Sequence, residues 1–146
     1  MDDVTPFARR LRILWAAVCA GGALVLVVMG GVATTAGSVL PEYAQEAFYL
    51  VALVSLGGLG AALFLIRTME GRLIQAGSDA EARAILQSMG ISALALVDAT
   101  AVAAGVAAFL TGDLLVLAFG VPLFFFAWMT WPSDGRVARW LAMRTW

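Results

Sequence analysis

The chain has 146 residues, of which 62% are hydrophobic and 13% are charged, whereas a soluble domain has about 25% charged residues. Its nine basic residues, all arginine, are balanced by ten acidic ones, so no basic surface for nucleic acid is predicted. Histidine is absent, which excludes histidine-ligated haem or metal sites and nucleophilic catalysis with a histidine base.

The first two apolar segments are predicted to be membrane-spanning helices. A helix rises about 1.5 Å per residue, so about 20 apolar residues cross the ~30 Å hydrocarbon core of a bilayer. Thr5-Pro6 is a typical helix start, and the apolar run that follows is longer than the roughly 7–15 residues of a secretory signal core, so a retained span is expected over residues 12–33. A polar loop with glycine and proline separates it from the second span, expected over residues 47–66.

A charged segment, residues 67–87, is predicted to form a helical hairpin that extends beyond the bilayer on the cytoplasmic side. Gly77 is typical of the residue that follows a helix, and Ser78 with Glu81 fits a capping box, in which each side chain accepts a backbone N–H at the start of the next helix. The turn is therefore expected at residues 77–78. The third span follows over residues 88–110.

The fourth span is expected over residues 114–131, after a short turn in which Asp113 is the predicted helix cap. Pro122 lies inside this segment and is expected to kink the helix, because proline removes a backbone hydrogen bond and clashes with the preceding turn. The tail from residue 134 combines arginines with tryptophans, which predicts a short interfacial helix. The sequence thus predicts an all-α, four-helix transmembrane bundle formed by a single domain, residues 1–146.

The arginines fall into three groups that four spans place on one side of the membrane. The groups precede span one, lie between spans two and three, and follow span four: Arg9, Arg10 and Arg12; Arg67, Arg72 and Arg83; Arg136, Arg139 and Arg144. Because arginine-rich loops are retained in the cytoplasm, this pattern predicts that both termini are cytoplasmic. The expected location is the inner membrane of a bacterium.

Asp98 is an acid near the middle of the third span, where a charged side chain is costly and indicates a functional site. With the turn at residues 77–78, antiparallel pairing places Asp98 opposite Gly57 and Gly58, with Ser55 within one turn. Glycine lets two helix backbones approach closely, so the acid is expected to be enclosed between small residues. No arginine lies at this depth, and a carboxyl without a cationic partner in a low-dielectric environment favours its neutral form, so Asp98 is expected to be largely protonated at neutral pH.

Three roles of Asp98 remain open. The carboxyl can donate a structural hydrogen bond to Ser55 or to a backbone carbonyl of a neighbouring helix, it can bind a translocated proton or cation, or it can contact a polar group of a partner subunit. The first role is favoured, because a translocation path usually contains several polar side chains and few are found in these spans. The candidate ion, proton or interhelical site therefore consists of Asp98, Ser55, Gly57 and Gly58.

A glycine-rich helix, a polar loop and a helix with Leu96-Val97-Asp98-Ala99 near mid-bilayer follow one another in residues 55–110. This arrangement resembles the hairpin of the rotor-ring subunit c of ATP synthases. The resemblance implies that Asp98 carries a translocated proton or sodium ion. The Arg-Gln-Pro loop of that family is absent and two further spans flank the hairpin, so the complete layout more closely resembles four-span bacterial membrane proteins of unknown function with an acid-bearing third helix.

The sequence favours a small integral membrane protein without enzymatic activity, acting as a subunit or self-associating component of a membrane assembly. Small residues recur on three spans at the one-turn spacing that packs membrane helices: Ala17 with Gly21, Gly57 with Ala61, and Ala101 with Gly105. The alternative function is proton or cation translocation through Asp98. The predicted partners are the lipid bilayer and other membrane subunits or a second copy of the chain, and no nucleic acid.

The remaining acids lie in loops and tails without a paired-carboxylate or nucleophile motif. Catalysis needs several polar groups that converge on a pocket, and the sequence offers no such set. No catalytic residue, no metal site and no cofactor is therefore predicted.

Overall fold

The described part of the chain is helical throughout, apart from short connections. The computed structural model describes residues 4–143, which contain five α-helices and two 3₁₀ segments and no strand. The helices are α1 (Val4–Ala36), α2 (Ala44–Gln75), α3 (Asp79–Thr111), α4 (Val121–Met129) and α5 (Asp134–Ala142), and the 3₁₀ segments are Pro41–Tyr43 and Leu114–Gly120. This confirms the predicted all-α class. Arg144, part of the predicted tail, lies outside the described residues.

Three of the helices are long and apolar enough to cross a membrane. α1 and α3 have 33 residues each and α2 has 32, so each is about 50 Å long and exceeds the ~30 Å hydrocarbon core. A fourth candidate span is broken, because the segment Leu114–Met129 and α5 meet at an angle of 72°. The described residues therefore contain three membrane-spanning candidates, or four if this bent pair forms one span.

α3 is the central helix of the structure. It packs against α1 and against α2, and the segment that follows it folds back along it. In its most apolar stretch 50% of the residues are buried, against 17% in the corresponding stretches of α1 and α2. α1 runs parallel to α3, with Trp15 against Gly90 and Val25 against Gly105, whereas α2 runs antiparallel, with Gly58 against Leu96.

The hairpin between α2 and α3 turns where the sequence predicts it. α2 ends at Gln75 and α3 begins at Asp79. The Ser78 hydroxyl accepts a hydrogen bond from the Glu81 backbone N–H at 3.2 Å, and the Glu81 carboxylate accepts one from the Gly77 N–H at 2.9 Å. These two bonds satisfy backbone donors at the start of α3 that would otherwise lack partners.

The segment after α3 begins as a 3₁₀ helix capped by Asp113, which accepts a hydrogen bond from the Leu115 N–H at 2.9 Å, as predicted. The predicted kink at Pro122 is wrong. Pro122 lies in the first turn of α4, where its missing N–H needs no helical partner, and the sharp bend comes after α4 instead. Because a 3₁₀ helix rises ~2.0 Å per residue, the 7 residues of 3₁₀ helix and the 9 residues of α4 together reach about 27 Å, close to the thickness of the hydrocarbon core.

The first turns of α1 and the region of the α4–α5 bend meet at one end of the bundle. The Arg12 guanidinium of α1 pairs with the Asp134 carboxylate of α5 at 3.0 Å. One turn further along α1, the Trp15 indole N–H donates to the Thr130 hydroxyl at 3.3 Å. These contacts hold the start of α1 beside the bend between α4 and α5.

α5 is the short amphipathic helix that the tail predicts. Ser133 caps it by accepting a hydrogen bond from the Arg136 N–H at 3.3 Å. Its Val137 and Trp140 side chains are buried, whereas Arg139 on the other side is exposed. The helix therefore covers the end of the bundle with its apolar face and presents its charged face outward.

Gly90→Ala is expected to destabilise the fold, because an added Cβ would lie 2.6 Å from Cη2 of Trp15, a side chain that is only 1% exposed. Overpacking of this kind costs about 1–3 kcal/mol. Gly71→Ala is the matched control, since nothing lies within 4 Å of its added Cβ and alanine is the better helix former. Thermal unfolding in detergent, followed by circular dichroism, should give a lower midpoint for Gly90→Ala than for wild type. A midpoint at or above that of wild type would contradict the packing of α1 on α3.

Candidate functional site

The Asp98 side chain points from α3 toward α1. Its Oδ1 atom lies so close to Gly22 that a Cβ at that position would overlap it. The same Cβ would lie 2.7 Å from Cδ2 of Leu123 and 3.4 Å from Cβ of Ala101. The acid therefore lies where α1, α3 and the first turn of α4 meet, and glycine at position 22 leaves the room that the carboxyl occupies.

The predicted pairing of Asp98 with Gly57 and Gly58 is wrong. Gly58 does pack on α3, but an added Cβ would lie 2.9 Å from Cγ2 of Thr100 and 3.1 Å from the Leu96 carbonyl oxygen. A Cβ added at Gly57 would meet no atom within 4 Å. Residues advance by about 100° around a helix, so Leu96 and Thr100 share one face and Asp98, two residues from each, projects from the opposite one. The predicted register of the hairpin holds to within a turn, but the acid is on the other face of α3.

Two buried polar atoms of the spans, Ser55 Oγ and Asp98 Oδ1, have no hydrogen-bond partner among the described residues. The predicted hydrogen bond between these two side chains is therefore absent. The Gly22 backbone N–H lies near the carboxyl, but it does not reach hydrogen-bond geometry with Oδ1. A buried polar group without a hydrogen-bond partner lowers the free energy of unfolding by about 1–3 kcal/mol, so neither atom contributes a stabilising hydrogen bond.

Few other polar groups surround the Asp98 carboxyl. Cys19, one turn before Gly22 on α1, is a free, half-buried cysteine. The Thr100 hydroxyl lies on the opposite face of α3, toward α2, and donates to the Val97 carbonyl at 2.6 Å. Within residues 4–143 no three histidine, cysteine or acidic side chains come together to hold a metal. The geometry offers a single carboxyl that can bind a proton or donate a hydrogen bond.

Sequence reasoning missed Gly22 and Leu123, the two residues that enclose the acid from α1 and α4. The run Ala20-Gly21-Gly22-Ala23 was a usable signal, since it is a small-residue cluster inside a span like the one in α2. Nothing in the sequence marks Leu123. A hairpin turn relates only two helices that are adjacent in the chain, whereas α1, which is not adjacent to α3 in the sequence, contacts the acid in the folded structure.

No family model, curated protein or solved structure matches the chain. The resemblance of residues 55–110 to the subunit c hairpin, and that of the layout to four-span bacterial proteins, therefore stay predictions. The features of the molecule that bear on its function are the surroundings of Asp98 and the exposed surfaces of the helices.

Gly22→Ala is expected to perturb the Asp98 carboxyl, because the added methyl group would occupy the position of Oδ1. In infrared spectra the carboxyl vibration is the band that Asp98→Asn removes, and a carboxylic C=O band at neutral pH is expected for the protonated acid. This band should shift in Gly22→Ala and keep its position in Gly57→Ala, whose added Cβ meets nothing within 4 Å. An equal shift in the two variants would restore the pairing of Asp98 with α2.

Proposed function

We propose that the chain is a small, non-enzymatic integral membrane protein that acts as a subunit or self-associating component of a membrane assembly. The three or four apolar helices support insertion into a membrane. The arginines of the N-terminal segment, the hairpin and α5 support, by the positive-inside rule, cytoplasmic termini in a bacterial inner membrane. Asp98 gives this protein a protonatable carboxyl inside the membrane.

Glycines that face away from the rest of the chain carry the proposal. Gly21, Gly31, Gly57 and Gly60 lie inside α1 and α2, and a Cβ added at any of them would meet no atom within 4 Å. Glycine inside a helix is less favourable than alanine by about 1 kcal/mol, and packing within the chain gives no reason for these residues. Close approach of a helix from another chain does give a reason, because glycine lets helix backbones come together in a membrane.

The small-residue pairs found in the sequence divide into two kinds. Ala101 with Gly105 is buried against α1, where a Cβ at Gly105 would lie 3.0 Å from Cγ1 of Val25. The other two pairs are exposed on the outer faces of α1 and α2: Ala17 with Gly21, and Gly57 with Ala61. The first kind serves the fold, and the second supports contact with another chain.

A second copy of the chain is expected to crosslink through the outer face of α2. In a Cys19→Ser background, Ala61→Cys should form a disulfide-linked dimer on oxidation of native membranes. Ala62→Cys, at a fully buried (0% exposed) neighbouring position, should not, and it is the matched control. Adding Gly57→Leu to Ala61→Cys should abolish the crosslink without unfolding the protein, because the larger side chain has open space within its own chain but blocks a second helix.

A monomeric protein would contradict the proposed self-association. If Ala61→Cys gives no more dimer than Ala62→Cys, and the wild type is a monomer without a stoichiometric partner by native mass spectrometry in mild detergent, self-association and subunit function are both ruled out. A crosslink that survives Gly57→Leu would show that the contact at Ala61 does not extend to Gly57.

Asp98 supports a second candidate function, proton or cation translocation. Its buried Oδ1 atom has no partner among the described residues, and its carboxyl is only partly enclosed, so a proton can be exchanged there. In liposomes under a pH gradient, the wild type should carry a proton flux that Asp98→Asn loses. Glu46→Gln, which removes an acid in the first turn of α2, is the control and should keep the flux. Equal flux in the wild type and Asp98→Asn would exclude translocation by this carboxyl.

A further inference from the structure

A cavity of about 330 Å³ lies at the arginine-bearing end of the bundle, between α2, α4 and α5. Its lining changes character along its length. The lining residues used below are the apolar Leu63, Ile66 and Phe126 and the charged Glu70, Arg136 and Arg139. The apolar residues come from the parts of α2 and α4 inside the candidate spans, whereas Glu70 comes from the last turns of α2 and the two arginines come from α5. The cavity is thus apolar toward the membrane interior and charged toward its surface.

The two arginines of the cavity are available to an anion. The Arg136 guanidinium is held in place because its Nη1 donates to the backbone carbonyls of Met129 and Trp131, the latter at 3.2 Å. Its other guanidinium nitrogens have no acceptor within residues 4–143 and can bind a further one. Arg139 is exposed, and neither arginine forms an ion pair with Glu70 or with any other described residue. Two positive charges and one negative charge leave the lining with a net positive charge.

We propose that this cavity binds an anionic phospholipid, with the phosphodiester at Arg136 and Arg139 and an acyl chain along Leu63, Ile66 and Phe126. Guanidinium groups match the geometry and charge of phosphate oxygens, and basic pockets between membrane helices suit lipid headgroups. The apolar wall selects a lipid over a free anion, because it gives binding energy only to a ligand with a hydrocarbon part. The volume is at the lower end of small-ligand sites, about 300–1,000 Å³, and fits a headgroup with the first part of its chains.

This inference requires only that the chain is embedded in a membrane. It is independent of self-association and of translocation by Asp98, which lies on the other side of α3 from α2. A monomeric protein without proton flux would still bind the lipid, so the failure of either functional proposal is distinguishable from the failure of this one.

The test is titration of the detergent-solubilised full chain with phosphatidylglycerol or phosphatidylcholine, followed by native mass spectrometry. Phosphatidylglycerol, the anionic lipid, should bind more tightly than the zwitterionic phosphatidylcholine. Arg139→Gln should weaken phosphatidylglycerol binding about tenfold, as expected for the loss of one charge-assisted hydrogen bond. Arg72→Gln is the matched control, because Arg72 is exposed on α2 outside the cavity lining, and it should leave the affinity unchanged.

Glu70→Gln tests the proposal in the opposite direction. It removes the only acid among the cavity residues named above and should therefore strengthen phosphatidylglycerol binding. Arg139 and Glu70 are preferred over Arg136 as test positions, since Arg136 also holds the carbonyls at the end of α4. Circular dichroism of each variant checks that the helices are intact.

Three results would overturn the proposal. The first is equal affinity for the two lipids, and the second is an equal effect of Arg139→Gln and Arg72→Gln. The third is displacement of phosphatidylglycerol by inorganic phosphate alone, which would make the cavity a site for free anions rather than for a lipid.

Discussion

The close approach of α1 and α2 to α3 is the constraint on which the rest of the structure depends. In a membrane the surroundings of a helix are as apolar as another helix, so association relies on van der Waals contact between backbones and small side chains. At Gly22 on α1, Gly58 on α2 and Gly90 on α3 an added Cβ would lie under 3.0 Å from a neighbouring atom, and at Gly105 on α3 it would lie 3.0 Å from Val25. Because these four positions are on both flanks of α3, they make it the buried middle helix.

The environment of Asp98 follows from this packing. Its position, two residues from both Leu96 and Thr100, turns it away from α2 and toward α1, where Gly22 provides space. Pro122 lies in the first turn of α4, after the 3₁₀ segment, and Leu123, the next residue, packs at the Gly22 position beside the carboxyl. The acid is therefore enclosed by three segments that are far apart in the sequence.

The features that could be predicted from the sequence are those fixed by local hydrogen bonds or by strong amphipathicity. The Ser78–Glu81 cap and the Asp113 cap each involve groups within four residues of one another, so the residue types alone indicate them. α5 alternates charged and apolar residues at helical spacing, and its buried face, Val137 and Trp140, follows from that pattern.

The contact between Asp98 and Gly22 could not be predicted in the same way. The spans are apolar on every face, because both the lipid and the protein interior favour apolar side chains. Their sequences therefore do not indicate which face of a span packs against which helix. The hairpin turn fixes the register of α2 against α3 but not the rotation of α3 about its own axis. A shift of two residues along α3 corresponds to a rotation of about 200° around its axis, which moves the acid from the side of α2 to the side of α1.

The polar contacts at the arginine-bearing end have a different role from the glycine contacts. An exposed ion pair such as Arg12–Asp134 contributes about 0–1 kcal/mol, so it adds little to stability. Together with the Trp15–Thr130 hydrogen bond, however, it joins α1 to the bend between α4 and α5 at one defined position along the helix. Directional bonds of this kind depend on the position and the orientation of both partners. The glycines thus allow the helices to come together, and these two contacts fix the start of α1 relative to the bend between α4 and α5.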